Sequence, residues 1–258
     1  MPRPERSIWD TPRMAWSDLP GLATLIDLLC PPRCALCGGE VDEGHDLRAA
    51  VCGGCAEALS TDTDRCPACG EPLPESGSCG RCHGRCRDWD GIGVLTAYGD
   101  DTRAAILRAK RPSGEPVAAA LAALLARKHR DTFRAWGIDV VVPVPMHWLR
   151  RAVRGTSAAD EIARGVAAAL GVPCRRPLRR RRPTPMQNEL PVEERRRNVR
   201  DAFRSAGLVA RHRVLVVDDV TTTGATLAEC RRALVEAGAS AVYAGVVARA
   251  DRAAGDVS

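Results

Sequence analysis

Eight cysteines form four CxxC pairs in the first third of the chain. Fourteen residues separate the first pair from the second, and nine separate the third from the fourth. A CxxC turn directs two sulfur atoms at one ion, so two turns supply the four thiolates of a closed tetrahedral zinc site. We predict two zinc ions, the first bound by Cys34, Cys37, Cys52 and Cys55 and the second by Cys66, Cys69, Cys79 and Cys82.

Both zinc sites are predicted to be structural. Four thiolates leave no open position for a substrate, and metal binding would supply much of the folding energy of a segment that is poor in apolar residues. An interleaved pairing of the four turns is the alternative arrangement, and His45 and His83 are alternative ligands. Such ribbons dock protein or nucleic acid, and the sequence does not distinguish between these partners.

A second candidate site lies between Arg213 and Thr226. The apolar run Val214–Val217 predicts a buried strand, and two carboxylates follow at its carboxyl end, where open α/β sheets bind ligands. The small residues after them predict a loop that leads into a helix and directs N–H and hydroxyl groups at one anion. A phosphate-binding loop beside two carboxylates fits a phosphorylated sugar. The carboxylates would accept hydrogen bonds from its vicinal hydroxyls. The alternative is a plain strand–turn–helix with acidic residues at its cap.

Strands and helices alternate from about residue 90, which predicts an α/β body with a mostly parallel sheet. The run Ile138–Val144 is apolar apart from Asp139, as expected of a strand buried on both faces. The predicted strands are Ile92–Tyr98, Ile138–Val144, Val214–Val217 and Ala241–Val247, and the predicted helices are Thr102–Lys110, Pro116–His129, Ala158–Leu170 and Ala225–Ala237.

The composition is that of a globular protein with a concentrated basic segment. The 258 residues are 45% hydrophobic and 27% charged, which excludes a disordered or fibrous chain. The segment from His147 to Arg213 holds 17 arginines and six acidic residues, a local net charge of +11 in a chain of net charge +6. This segment indicates a phosphate-bearing partner such as single-stranded DNA. A solvated face, or arginines that serve a pyrophosphate alone, is the alternative.

No targeting or membrane segment is visible in the sequence. The apolar stretch Leu22–Cys30 is interrupted by Thr24 and Asp27 and is far shorter than the ~20 residues of a spanning helix. The first twenty residues lack the apolar core of a signal peptide. We therefore predict a cytoplasmic protein with no membrane partner, in which clustered thiols bind metal rather than form disulfides.

The segment Arg213–Thr226 resembles the phosphoribosyl pyrophosphate motif of type I phosphoribosyltransferases. The sequence contains neither of the usual nucleotide-binding motifs, GxxxxGK[ST] or GxGxxG after a strand. Over about residues 25 to 250 the chain resembles the ComF family. Besides the ribbon head, this resemblance rests on Val142–Met146, Arg154–Gly155, Gln187, Arg195–Val199 and Ala202–Phe203.

The resemblance implies a zinc-ribbon head joined to a type I phosphoribosyltransferase-like domain, and a role in DNA uptake during natural transformation. It makes Asp218 and Asp219 the catalytic pair, which would hold the ribose hydroxyls. Magnesium would bridge the pyrophosphate and ribose oxygens, and Arg179–Asn198 would form a hood over the ligand. The 5′-phosphate would be held by Thr221, Thr222, Thr223, Gly224, Ala225 and Thr226, and the pyrophosphate by Arg150, Arg151 and Arg154.

These observations divide the chain into four parts. We predict an N-terminal extension over 1–28, a double zinc ribbon over 29–88, a phosphoribosyltransferase-like domain over 89–250 and a tail over 251–258. The predicted ligand is phosphoribosyl pyrophosphate or a related ribose 5-phosphate. A transferase with an unidentified acceptor and a non-catalytic nucleic-acid-binding adaptor both fit the sequence. By family resemblance, the zinc head is a candidate dock for a DNA-translocating helicase.

Overall fold

The structure is a computed structural model. It describes residues 31–41, 50–60, 64–75, 77–80, 82, 89–146, 157–180, 201–207 and 209–251. The predicted N-terminal extension and the alternative zinc ligands His45 and His83 lie outside these residues.

A four-stranded parallel sheet forms the centre of the body, with the strand order β1-β6-β5-β2. Its inner strands are buried, because helices cover both faces. The predicted α/β fold with a mostly parallel sheet is confirmed. The strands are β1 (Ile92–Ala97), β2 (Val140–Pro143), β5 (Arg213–Thr221) and β6 (Ala241–Arg249).

Strand β5 is longer than its apolar run predicted. It continues four residues past Val217, so that Asp218 lies opposite Val246 of β6 and Thr221 lies opposite Arg249. Pairing with β6 extends the strand through residues that the sequence pattern assigned to a turn. The predicted loop Thr221–Thr226 therefore begins one residue later, because Thr221 is the buried last residue of β5. The role of Thr221 as a phosphate ligand stays a prediction.

The helices divide between the two faces of the sheet. Helices α3 and α5 pack on one face, and α6 packs on the other with the hairpin of β3 and β4. Among the described residues, no helix is both long and apolar enough to cross a membrane. The helices are α1 (Gly53–Leu59), α2 (Asp100–Ala109), α3 (Glu115–Lys128), α4 (Arg130–Ala135), α5 (Ala158–Leu170) and α6 (Ala225–Glu236).

A short antiparallel hairpin joins β3 (Leu178–Arg180) to β4 (Phe203–Ser205). Phe203 is buried against α6, and the guanidinium of Arg180 lies 5.4 Å from the centre of its ring. The sequence did not predict these three-residue strands, because runs of arginine carry no strand pattern. The first two residues of the predicted hood belong to β3, and the hood from 181 to 198 lies outside the described residues.

The two halves of the head repeat one local design. Arg33 and Arg65 each precede a CxxC turn, and each donates from its guanidinium to the carbonyl of the glycine that follows the turn. Those glycines, Gly38 and Gly70, have φ angles of 78° and 73°, a conformation that favours glycine. The tight reversal directs both cysteines of a turn to the same side.

A charged network joins the second half of the head to the body. Arg249, the last residue of β6, is almost fully buried and forms an ion pair with Glu71 of the head. Arg65 forms a two-pronged pair with Asp251, at 2.9 and 3.0 Å. The backbone N–H of Ile92 in β1 also donates to the carbonyl of Pro67, at 3.0 Å. The head therefore packs directly on the strand ends β1 and β6.

We predict that Arg249→Met destabilises the protein by about 3–5 kcal/mol, because the mostly buried Glu71 carboxylate then loses its ion pair with Arg249. The double variant Arg249→Met/Glu71→Leu should recover most of this loss. Urea denaturation followed by circular dichroism measures both effects. As a control, Arg164→Ala breaks an exposed pair with Glu161 and should cost less than about 1 kcal/mol. An Arg249→Met variant as stable as the wild type would contradict this account of the head–body contact.

Candidate functional site

The order of the strands places a crevice between the carboxyl ends of β5 and β2. After β2 the chain enters α5 on one face of the sheet, and after β5 it enters α6 on the opposite face. Two loops that leave neighbouring strands toward opposite faces open a ligand crevice between them. Among the described residues, pairing of β5 with β2 stops at Val217, whereas pairing with β6 continues to Thr221. The last residues of β5 therefore border this β5–β2 crevice.

Asp218 and Asp219 occupy these last residues of β5. Both side chains are only partly accessible, and Asp218 Oδ1 accepts the backbone N–H of Asp219 at 2.9 Å. Burial and the neighbouring Asp219 carboxylate raise the pKa of Asp218 well above its usual range. Lys110 opposes this rise. Within the described part of the chain, Lys110 is the cation that forms an ion pair with these carboxylates.

Lys110 is the residue of this site that the sequence analysis missed. Its Nζ lies 2.8 Å from Asp219 Oδ2, where the chain leaves α2, 109 positions earlier in the sequence. The contact joins two distant segments, so no local motif could reveal it. A weak signal existed in the composition, because only two of the 38 basic residues are lysines.

The loop after β5 leads directly into α6. Gly224 is the N-cap of α6 with φ 78°, and a Cβ there would stand 2.6 Å from the Trp89 ring. Glycine is therefore required both by the conformation and by the close contact. The first turn of a helix presents N–H groups that lack intrahelical partners. Thr223 Oγ1 caps one of them, accepting from Ala225 N at 3.3 Å.

The predicted phosphate-binding residues therefore fall into two groups. Thr222, Thr223 and Gly224 form the loop, while Ala225 and Thr226 begin α6. This arrangement suits an anion at the helix N-terminus. The predicted pyrophosphate ligands Arg150, Arg151 and Arg154 lie outside the described residues, so their assignment stays a prediction.

The cysteines of the head form two clusters in sequence order. In each cluster the four sulfur atoms all lie within 4.8 Å of one another, which fits a structural zinc site. The second cluster is the more buried of the two. Cys174 and Cys230 belong to neither cluster and pack in the body. The clusters are Cys34, Cys37, Cys52 and Cys55, and Cys66, Cys69, Cys79 and Cys82.

The chemistry of these sulfur atoms agrees with metal binding. Burial disfavours the Cys34 thiolate, but backbone N–H groups of Cys52, Cys37 and Leu36 outweigh it and lower its pKa to about 6. Burial raises the pKa of its neighbour Cys55. Four sulfur atoms gathered this closely suit a single cation at their centre.

Two family models match this chain. One, described as a double zinc ribbon domain, matches residues 25–83, and one described as a phosphoribosyl transferase domain matches residues 113–257. The DNA utilization protein YhgH of Escherichia coli K12 is 32% identical over 222 residues, which cover 83% of this chain and 96% of that protein. The chain belongs to the ComF family. Competence protein F of Haemophilus influenzae is 29% identical over 226 residues, or 84% of this ComF-family chain and 97% of that relative.

A solved structure is also similar to part of this ComF-family chain. The allosteric regulatory enzyme of purine biosynthesis is 28% identical, with a TM-score of 0.36, over 52% of this chain and 26% of that one. The chain therefore spans about a quarter of the length of that enzyme. The predicted family and fold class are confirmed, whereas the predicted domain limits stay a prediction.

We predict that Asp218→Asn is more stable than the wild type at pH 8. Folding favours the protonated form of Asp218, because its pKa is higher in the folded than in the unfolded protein. Its contribution to stability is therefore fully present below the pKa of the unfolded chain, about 4, and is lost as the pH rises through the pKa of the folded protein. Asparagine removes this dependence. Each 1 kcal/mol gained in the free energy of unfolding would raise the melting temperature by about 2–4 °C. Thermal unfolding at several pH values measures it, and equal melting temperatures at every pH would contradict the prediction.

Proposed function

We propose that this protein binds phosphoribosyl pyrophosphate, or a related ribose 5-phosphate, in the β5–β2 crevice. The observation that carries the proposal is that two carboxylates near the end of β5 are followed by a short loop and the N-terminus of α6, at the point where the chain changes face. The helix end would receive the 5′-phosphate. Asp218 and Asp219 would accept hydrogen bonds from the two ribose hydroxyls.

Magnesium is proposed as the companion of the ligand. Among the described residues, one ammonium faces the two carboxylates, and burial together with the Asp219 charge raises the pKa of Asp218. A divalent cation beside the carboxylates would favour their charged form. Magnesium keeps several waters and is bound largely through substrate oxygens, so a full set of protein ligands is not needed. When bound, it would neutralise the pyrophosphate.

The reaction that suits this site is transfer of the phosphoribosyl group. The bond between C1 of the ribose and the pyrophosphate oxygen breaks, pyrophosphate leaves with the electron pair, and the acceptor forms the new bond to C1. The two carboxylates would hold the sugar while positive charge develops at C1. Positioning of this kind can contribute up to about 7–11 kcal/mol to catalysis. The acceptor stays unassigned.

A role in handling imported single-stranded DNA is the second part of the proposal. Two relatives are named a DNA utilization protein and competence protein F. The segment from His147 to Arg213, with its net charge of +11, is suited to electrostatic contact with a phosphate backbone. It contains two aromatic residues, Trp148 and Phe203, so base stacking would contribute little. A helicase partner at the zinc head stays a prediction.

We predict that calorimetry with phosphoribosyl pyrophosphate and magnesium detects micromolar binding to the wild type. Asp218→Asn/Asp219→Asn should weaken it at least about 100-fold, because two charged acceptors at about 1.5–3 kcal/mol each are lost. Asp139→Asn is the matched control and should bind as the wild type does. Its carboxylate accepts the N–H of Arg213 at the amino end of β5, far from the crevice.

Two results would overturn this proposal. The first is a folded, zinc-loaded wild type that does not bind the ligand. The second is a double variant that binds as well as Asp139→Asn does. If binding is confirmed, a screen for pyrophosphate release across candidate acceptors distinguishes a transferase from a non-catalytic sensor.

A further inference from the structure

Lys110 has no role in the site as derived from the sequence. Its ammonium pairs with Asp219 at 2.8 Å, and the Asp219 side chain is only 14% exposed. The chain has 36 arginines and two lysines, so a lysine at this place stands out from the composition. An ammonium is a compact charge, whereas a guanidinium is a wide planar fork. A compact cation beside Asp219 occupies less of the space that a sugar phosphate would need.

The backbone around Lys110 is held tightly. Its N–H donates to the carbonyl of Ile106 at 3.1 Å and so closes the last turn of α2. Gly114, at the start of α3, packs against this turn so closely that a Cβ would lie 2.3 Å from the carbonyl oxygen of Arg108. Any larger residue at 114 would displace the turn. The backbone position of Lys110 is therefore set by packing, and the ion pair with Asp219 sets the direction of its side chain.

The first cysteine cluster holds the same turn from the other side. The Arg108 guanidinium donates to the carbonyl of Ala35 at 2.8 Å and also to the carbonyl of Leu36. These two residues are the centre of the CxxC turn between Cys34 and Cys37. One turn of α2 thus contacts a zinc-site turn through Arg108 and the carboxylate pair through Lys110.

We propose that Lys110 is a positioning residue of the ligand site, which holds the Asp219 carboxylate for a ribose hydroxyl while the first cysteine cluster, through Arg108, holds Lys110. Lys110 contacts Oδ2 of Asp219 and so fixes one oxygen of the carboxylate. This inference rests on the proposed ribose-phosphate ligand. It extends the site to α2 and gives the zinc head a structural part in binding.

The experiment is a calorimetric titration of the full, zinc-loaded chain with phosphoribosyl pyrophosphate and magnesium. Lys110→Met should weaken binding about tenfold, and Lys110→Arg should restore only part of the affinity because of its different shape. Arg108→Gln should weaken binding severalfold while native mass spectrometry still detects two zinc ions. Lys128→Met is the matched control, since this second lysine donates to the carbonyl of Leu95 in β1.

A double-mutant cycle with Asp219→Asn separates positioning from a general loss of structure. If Lys110 acts through Asp219, Lys110→Met should have little further effect in the Asp219→Asn background. Independent losses that add up would overturn the proposal, as would a Lys110→Met variant that binds like the wild type. Should Lys110→Met not fold, as judged by circular dichroism, Lys110→Gln replaces it in the cycle. A wild type that fails to bind would overturn the proposed function and this inference together.

Discussion

The balance of charge at the end of β5 is the constraint on which the site depends. Two carboxylates stand side by side in a partly buried position, and among the described residues one ammonium pairs with them. Such a pair costs stability unless cations accompany it. Burial and the Asp219 charge raise the pKa of Asp218, which expresses this cost. The magnesium-bearing ligand that we propose would offset the cost at the carboxyl end of β5.

The zinc head contacts two of the elements that surround this carboxylate pair. Its first half reaches α2 through Arg108, and its second half reaches the end of β6 through Glu71 and Arg249. Strand β6 in turn pairs with Thr221, the last residue before the predicted phosphate loop. Each half of the zinc head therefore contacts an element that itself contacts a predicted ligand-binding residue. A small ribbon can do this because zinc, rather than a large apolar core, stabilises it.

The comparison of sequence with structure shows which features are local. The two cysteine clusters and the strand–loop–helix after Arg213 could be predicted because all their residues lie close together in the chain. The end of β5 could not, since pairing with β6 extends it to Thr221. Lys110 could not be found either, because its contact with Asp219 arises only when α2 and β5 meet. The hairpin at Phe203 was hidden by its arginine-rich sequence.

The most direct test of the central claim is to ask where the ligand binds. Amide spectra of threonine- and glycine-labelled protein, titrated with phosphoribosyl pyrophosphate and magnesium, would report on each labelled residue of the loop. We predict the largest shifts at Thr222, Thr223, Gly224 and Thr226, with small shifts in the head glycines Gly38 and Gly70. Shifts confined to the head, or no shifts at saturating ligand, would contradict a ribose-phosphate site at the end of β5.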